Sequence, residues 1–221
     1  MSKADAATAR RVTADWAGRF GEFDVWKPLR LMRRIGPVVQ GITLDRTTSG
    51  DGYFPTAHVH NLTREFPVIT LALGQRLVGS SGMQESVRFS RHSDDFMDAA
   101  ERLAAQSDLS LSTPPAVAEI AKEYISFAVS QQRKGHPPAV DAVEDGILIS
   151  AAMGDRALTE ESLHIARELV GVWPKSRLPL DWNGSGAWIS NLEERAANVN
   201  QLTAVIEGQV VFHKLTKARV V

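Results

Sequence analysis

The sequence predicts an α+β fold: an N-terminal helix with an antiparallel meander of roughly three to four strands, then a bundle of about five helices. Two changes of hydrophobic period carry that expectation. Between Val38 and Ser90 apolar positions alternate with period two and are punctuated by turn clusters; after Arg91 they recur at helical spacing. A third observation sets the class. The 221-residue chain has 43% hydrophobic and 23% charged residues, an ordinary globular balance, and is long enough to bury a core without covalent staples. The switch near Arg91 divides the chain into a β-rich part, 1–91, and a helical part, 92–221, expected to pack as one unit.

Residues 5–20 place Val12, Trp16 and Phe20 on one helical face, with Gly21 as a stop. The stretch from Phe23 to Ile35, bracketed by Pro28 and Pro37, fits either helix or strand. Val38–Arg46 reads as a strand with Val38, Ile42 and Leu44 on one face. The run Thr48-Ser49-Gly50-Asp51-Gly52 then turns the chain into a second strand, Tyr53–Leu62. Val68–Leu77 reads as an interior strand because Val68–Leu73 is almost wholly apolar. Ser86–Ser90 is a short fourth strand.

Ser93 suits an N-cap, with Asp94 and Asp95 at the positive end of the helix that follows. Further helices open at Thr113-Pro114-Pro115, after His136-Pro137-Pro138 and at Thr159. From Trp188 an apolar seam continues through Ile189, Leu192, Ala196, Val199, Thr203, Ile206, Val210 and His213. Gly208 weakens an unbroken helix there, and residues 209–221 fit either helix or strand.

Cysteine is absent, which removes disulfide scaffolds, thiolate metal sites and cysteine nucleophiles. A net charge of −1 gives no whole-chain field for nucleic acid. No apolar run approaches the roughly 18 residues of a membrane span, and Met1–Arg11 has no secretory character. A soluble cytoplasmic protein is expected. Arginine outnumbers lysine 18 to 7, which reads as the coding bias of a bacterial genome.

His58-Val59-His60 places two imidazoles side by side on one face of a strand, a geometry that can chelate a divalent metal. Gly52, the His58-x-His60 pair and Glu65 together resemble the first metal-binding motif of the cupins. The resemblance implies His58, His60 and Glu65 as metal ligands. It ends there: the second cupin motif is missing, and so much predicted helix does not make a cupin barrel. No Gly-x-Ser-x-Gly elbow, P-loop, dinucleotide fingerprint or His-Glu-x-x-His occurs.

Lys27, Arg30, Arg33 and Arg34 form the one local excess of positive charge, a candidate anion site or else a solvated face. Trp173, Trp182 and Trp188 flank a loop rich in proline and glycine; such rings act as contact anchors or cap a core. The seam on the last helix offers a further contact, including a homodimer.

These features lead to two expectations. The first is a non-catalytic protein-binding module without cofactor, of the kind that neutralises or regulates a cognate bacterial partner as immunity or antitoxin proteins do. The second is a metal-dependent enzyme using His58, His60 and Glu65.

Overall fold

In a computed structural model, which describes residues 5–179, 182–216 and 218–221, the chain forms an α+β fold. The N-terminal helix α1 (Ala6–Arg19) starts at Asp5, whose carboxylate accepts a hydrogen bond from the Thr8 amide at 2.7 Å. The antiparallel sheet follows: β1 (Asp24–Lys27), β2 (Arg30–Ile35), β3 (Val38–Arg46), β4 (Gly52–Asn61), β5 (Ala72–Arg76) and the short β6 (Val87–Arg88). Strands β1 to β5 lie in chain order, and β6 pairs with the start of β4. The stretch that fitted helix or strand is thus a hairpin, β1–β2.

Helices α2 (His92–Gln106), α3 (Val117–Arg133), α4 (Val140–Ala152), α5 (Arg156–Val172), α6 (Ser185–Ala197) and α7 (Val199–Phe212) complete the fold. Ser93 is not the cap of α2. That helix begins one residue earlier, after a short 3-10 turn, with Arg91 at the cap position. The long seam from Trp188 is broken at Asn198, which ends α6 and caps α7 by accepting from the Gln201 amide. A local side-chain cap overrides the continuous apolar spacing. Beyond α7 the chain returns to the sheet through a bridge between Val220 and Arg34.

One sheet face is covered by helices throughout, in two blocks. Leu31, Ile42, Leu44, Tyr53 and Ala57 lie under α1 and α2, and Ile35, Val38 and Val59 lie under the α3–α6 block. Helix α2 therefore packs with the first core, and the packing divides after Leu111. At the seam Arg33 and Gln40 are buried together. The Arg33 guanidinium donates to Gln40 Oε1 at 2.6 and 2.9 Å and to the Ser110 and Thr113 carbonyls, clamping the segment between α2 and α3. On the opposite face a smaller cluster of Met32, Val39, Leu62, Val210 and Leu215 seats the end of α7.

The expected interior strand at Val68–Leu73 is corrected. Val68 is 63% exposed, regular pairing starts only at Ala72, and β5 is the sheet's edge. Pro67 has no amide to donate, the Thr70 amide is taken by the His60 ring, and Leu73 adopts a left-handed φ of 49°. An apolar run without period-two pairing partners becomes the wall of a groove.

Candidate functional site

The four basic residues are not one patch. Residues on β2 alternate faces, so Arg33 points into the seam while Arg30 and Arg34 lie on the other side. Burial lowers the Arg33 guanidinium to about 10, and with Nε and Nη2 donating to Gln40 and to backbone carbonyls the group presents no exposed charge. Arg30 faces Asp45 at 3.9 Å, and the Lys27 ammonium lies 3.8 Å over the Trp26 ring.

His58 and His60 do share a face of β4, and both are buried. His58 lies flat against Gly41, where a Cβ would come within 2.4 Å of its Nε2, and that nitrogen is 3.1 Å from Thr43 Oγ1. His60 Nδ1 accepts from the Thr70 amide at 3.1 Å, and His60 packs edge-on to His213 at 5.1 Å between centroids. Burial holds both rings neutral, His58 lowered to about 3 and His60 to about 4. Because Nδ1 of His60 accepts a proton donor, its Nε2 carries the ring proton and has no lone pair for a metal. Glu65 is exposed, and among the described residues no group of three or more His, Asp or Glu is placed to hold a metal ion. The strand histidines are brought together as predicted; the third ligand is not.

The tryptophans do converge. Trp173, at the end of α5, Trp182 and Trp188 on α6 form one cluster with centroids 5.4 to 6.2 Å apart. Trp173 and Trp188 are buried, whereas Trp182 is only partly so. Trp173 and Trp188 cap the core, and Trp182 together with Trp188 lines an open cavity of about 1000 Å³. The remaining walls come from α3, α4 and the Leu71–Gly74 segment.

The floor of this cavity is polar. Asp145 on α4 is buried and accepts from Asn61 Nδ2 at 2.8 Å, with the Arg64 guanidinium also at 2.8 Å. Asn61 in turn accepts from the Thr63 amide and hydroxyl, so the end of β4 is stitched to α4. Glu144 accepts from Trp188 Nε1 at 2.8 Å and from Arg195 at 3.0 Å. Burial drives the Asp145 carboxyl up to about 6, and the Arg64 charge only partly offsets it. Burial also opposes the Arg64 charge, yet Asp145, Asp141 and Glu144 together raise it. Tyr124 on α3 lines the same cavity, is buried, and its hydroxyl has no hydrogen-bond partner among the described residues. Burial and the Asp145 charge raise its pKa far above the usual phenol value, so the hydroxyl keeps its proton as a donor.

Helices α3 and α4 meet closely because Gly146 follows Asp145. A Cβ there would lie 2.9 Å from Ile125 Cδ1 and 3.0 Å from the Ala121 carbonyl. Asp145, Glu144 and Arg64 were not singled out in the sequence. The available signal was an acid at position 145 on the inner face otherwise built of Ala142, Val143, Ile149 and Leu148.

Comparison with protein-family models, with curated proteins and with solved structures finds no match for this chain.

Proposed function

We propose that this protein is a non-catalytic binding module that recognises a partner protein through the tryptophan-lined cavity. One observation carries the reading: a concave site of about 1000 Å³ walled by Trp182, Trp188, Tyr124 and Phe127, with polar groups fixed at its floor. Aromatic walls supply large contact area at small entropic cost, and a few held polar groups orient what binds. The carboxylates favour binding over proton transfer. Glu144 is occupied by Trp188 and Arg195, and Asp145 by Asn61 and Arg64, so both act as parts of the scaffold. A bacterial neutralising or regulatory role belongs to the same proposal.

The test is site-specific photo-crosslinking in the native host. A crosslinker at Asn183, exposed at the cavity rim, should capture a protein that one at Glu101, exposed on α2, does not. Trp182→Ala should abolish capture while leaving the circular dichroism spectrum unchanged. Equal capture at both positions, or none at Asn183, removes the proposal.

A further inference from the structure

The cavity does not end at the tryptophans. A second cavity of about 370 Å³ adjoins it across Leu73, Gly74 and Phe127, between β5 and α3. Together they form a groove that follows the sheet's edge strand, the place where an extended chain fits best.

The groove is lined unevenly in charge. Asp141, Glu144 and Asp145 face the first cavity, and Asp108 and Glu123 the second. Two cations line it, Arg177 and Lys134, and Arg177 already donates to the Gly135 carbonyl at 2.7 Å. Arg64 and Arg195 meet the carboxylates of α4, but no ion pair among the described residues neutralises Glu123 or Asp108. Burial raises the Glu123 carboxyl and the neighbouring Asp108 raises it further, as expected of an acid without a counter-charge. The acids without an ion-pair partner are thus Glu123 and Asp108 of the second cavity, where Asp108 accepts a hydrogen bond from the neutral Gln75 amide and Lys134 also lines the wall. A second, independent feature points to a ligand: the buried, unpartnered Tyr124 hydroxyl, a donor suited to a backbone carbonyl.

We infer that the groove holds an extended basic segment of a partner polypeptide, with one lysine or arginine side chain over the Trp182 ring and another against Glu123 and Asp108. Indole faces attract such cations, most strongly where water is excluded. The inference rests on the partner-binding reading and specifies the chemistry of that partner.

The test uses the intact protein, its tryptophan fluorescence and calorimetry. The probes are a capped peptide alternating arginine with alanine, the same peptide with citrulline for arginine, and free arginine amide. The arginine peptide should bind at least about tenfold more tightly than the citrulline peptide, with affinity falling as salt is raised. Glu123→Gln and Trp182→Ala should each weaken it several-fold, and both variants should keep the parent's circular dichroism spectrum. Equal binding of the arginine and citrulline peptides, or no effect of Glu123→Gln, overturns the inference. Arginine amide binding as tightly as the peptide overturns the polypeptide as its source. Capture at Asn183 in cells without any peptide binding sinks the basic-segment inference alone; peptide binding without cellular capture sinks the partner reading.

Discussion

Tyr53, beneath the N-terminal helices, and Tyr124, on the helical side of the same sheet, are both buried, yet their hydroxyls meet opposite surroundings. Tyr53 sits in a closed chain. Trp16 Nε1 donates to its oxygen at 3.0 Å, its hydroxyl donates to His92 Nδ1 at 2.8 Å, and His92 Nε2 donates to the Asp15 carboxylate at 2.9 Å. The chain leads from the core to a part-exposed acid, and every member is satisfied. The Trp16, Phe20 and Phe89 rings pack around it. Tyr124 lies beside a network just as polar, Asn61–Asp145–Arg64, but its buried hydroxyl receives no bond from it, at the wall of the cavity. A satisfied buried network specifies a fold; an unsatisfied donor beside a cavity is the group the proposed partner would use.

The contrast is best attacked at the tryptophans. Trp16→Ala removes a fully buried ring and should cost about 3–5 kcal/mol in urea unfolding. Trp182→Ala, at the cavity wall, should cost about 1 kcal/mol or less. Comparable losses would mean that the cavity wall is as much a core as the N-terminal block. Next comes the closed chain: Tyr53→Phe leaves Trp16 and His92 without their partner and should cost about 1–3 kcal/mol.

Acid sharpens the comparison further. His58 and His60 are held at about 3 and 4 against an ordinary 6.5, so the stability they contribute is complete above 6.5 and lost as pH falls toward those values. Asp145, held near 6 against 3.8, acts in the opposite sense: its contribution is present below 3.8 and lost as pH rises through 6. Between about pH 4 and 6 the unfolded chain takes up two protons that the folded histidines refuse, while the folded Asp145 keeps one that the unfolded chain releases. Stability should therefore fall on acidification by roughly 1.4 kcal/mol per pH unit from these groups, and Asp145→Asn should steepen the fall. A shallower profile in that variant would place the carboxyl outside the buried network. The smallest expected effect is the most discriminating. Tyr124→Phe removes a hydroxyl that nothing bonds, and should leave stability within about 0.5 kcal/mol of the parent or raise it. A loss as large as that of Tyr53→Phe would show that Tyr124 has a partner within the fold.

Much of the architecture was legible along the chain. The strand at Val38–Arg46, the turn within Thr48–Gly52 and the inner faces of α3 and α4 follow from period and turn chemistry, which are local properties. Where local signals compete, reading fails: an apolar run at Val68–Leu73 looks like an interior strand until the His60 ring takes the Thr70 amide. The break of the last seam at Asn198 was written in a residue that also occurs within helices, so composition could not mark it. Of the candidate site, the three tryptophans were visible as residue types; Asp145 showed only as one acid among the apolar residues of α4, with nothing local to mark Asn61 and Arg64 as its partners.

Composition and local spacing are enough for the α+β class, the change of period near Arg91, the absence of thiol chemistry and the pairing of His58 with His60 on one strand face. Each depends on neighbours a few residues apart. Long-range packing alone draws Arg33 from its basic neighbours into a buried clamp, keeps Glu65 away from the histidines, and gathers Trp182, Trp188, Asp145 and Tyr124 around one cavity. Those outcomes depend on contacts between distant segments, such as Asn61 with Asp145, 84 residues apart. Burial then changes the chemistry: the same carboxyl that would be ionised on a solvated helix is driven up to about 6 at the floor of a groove.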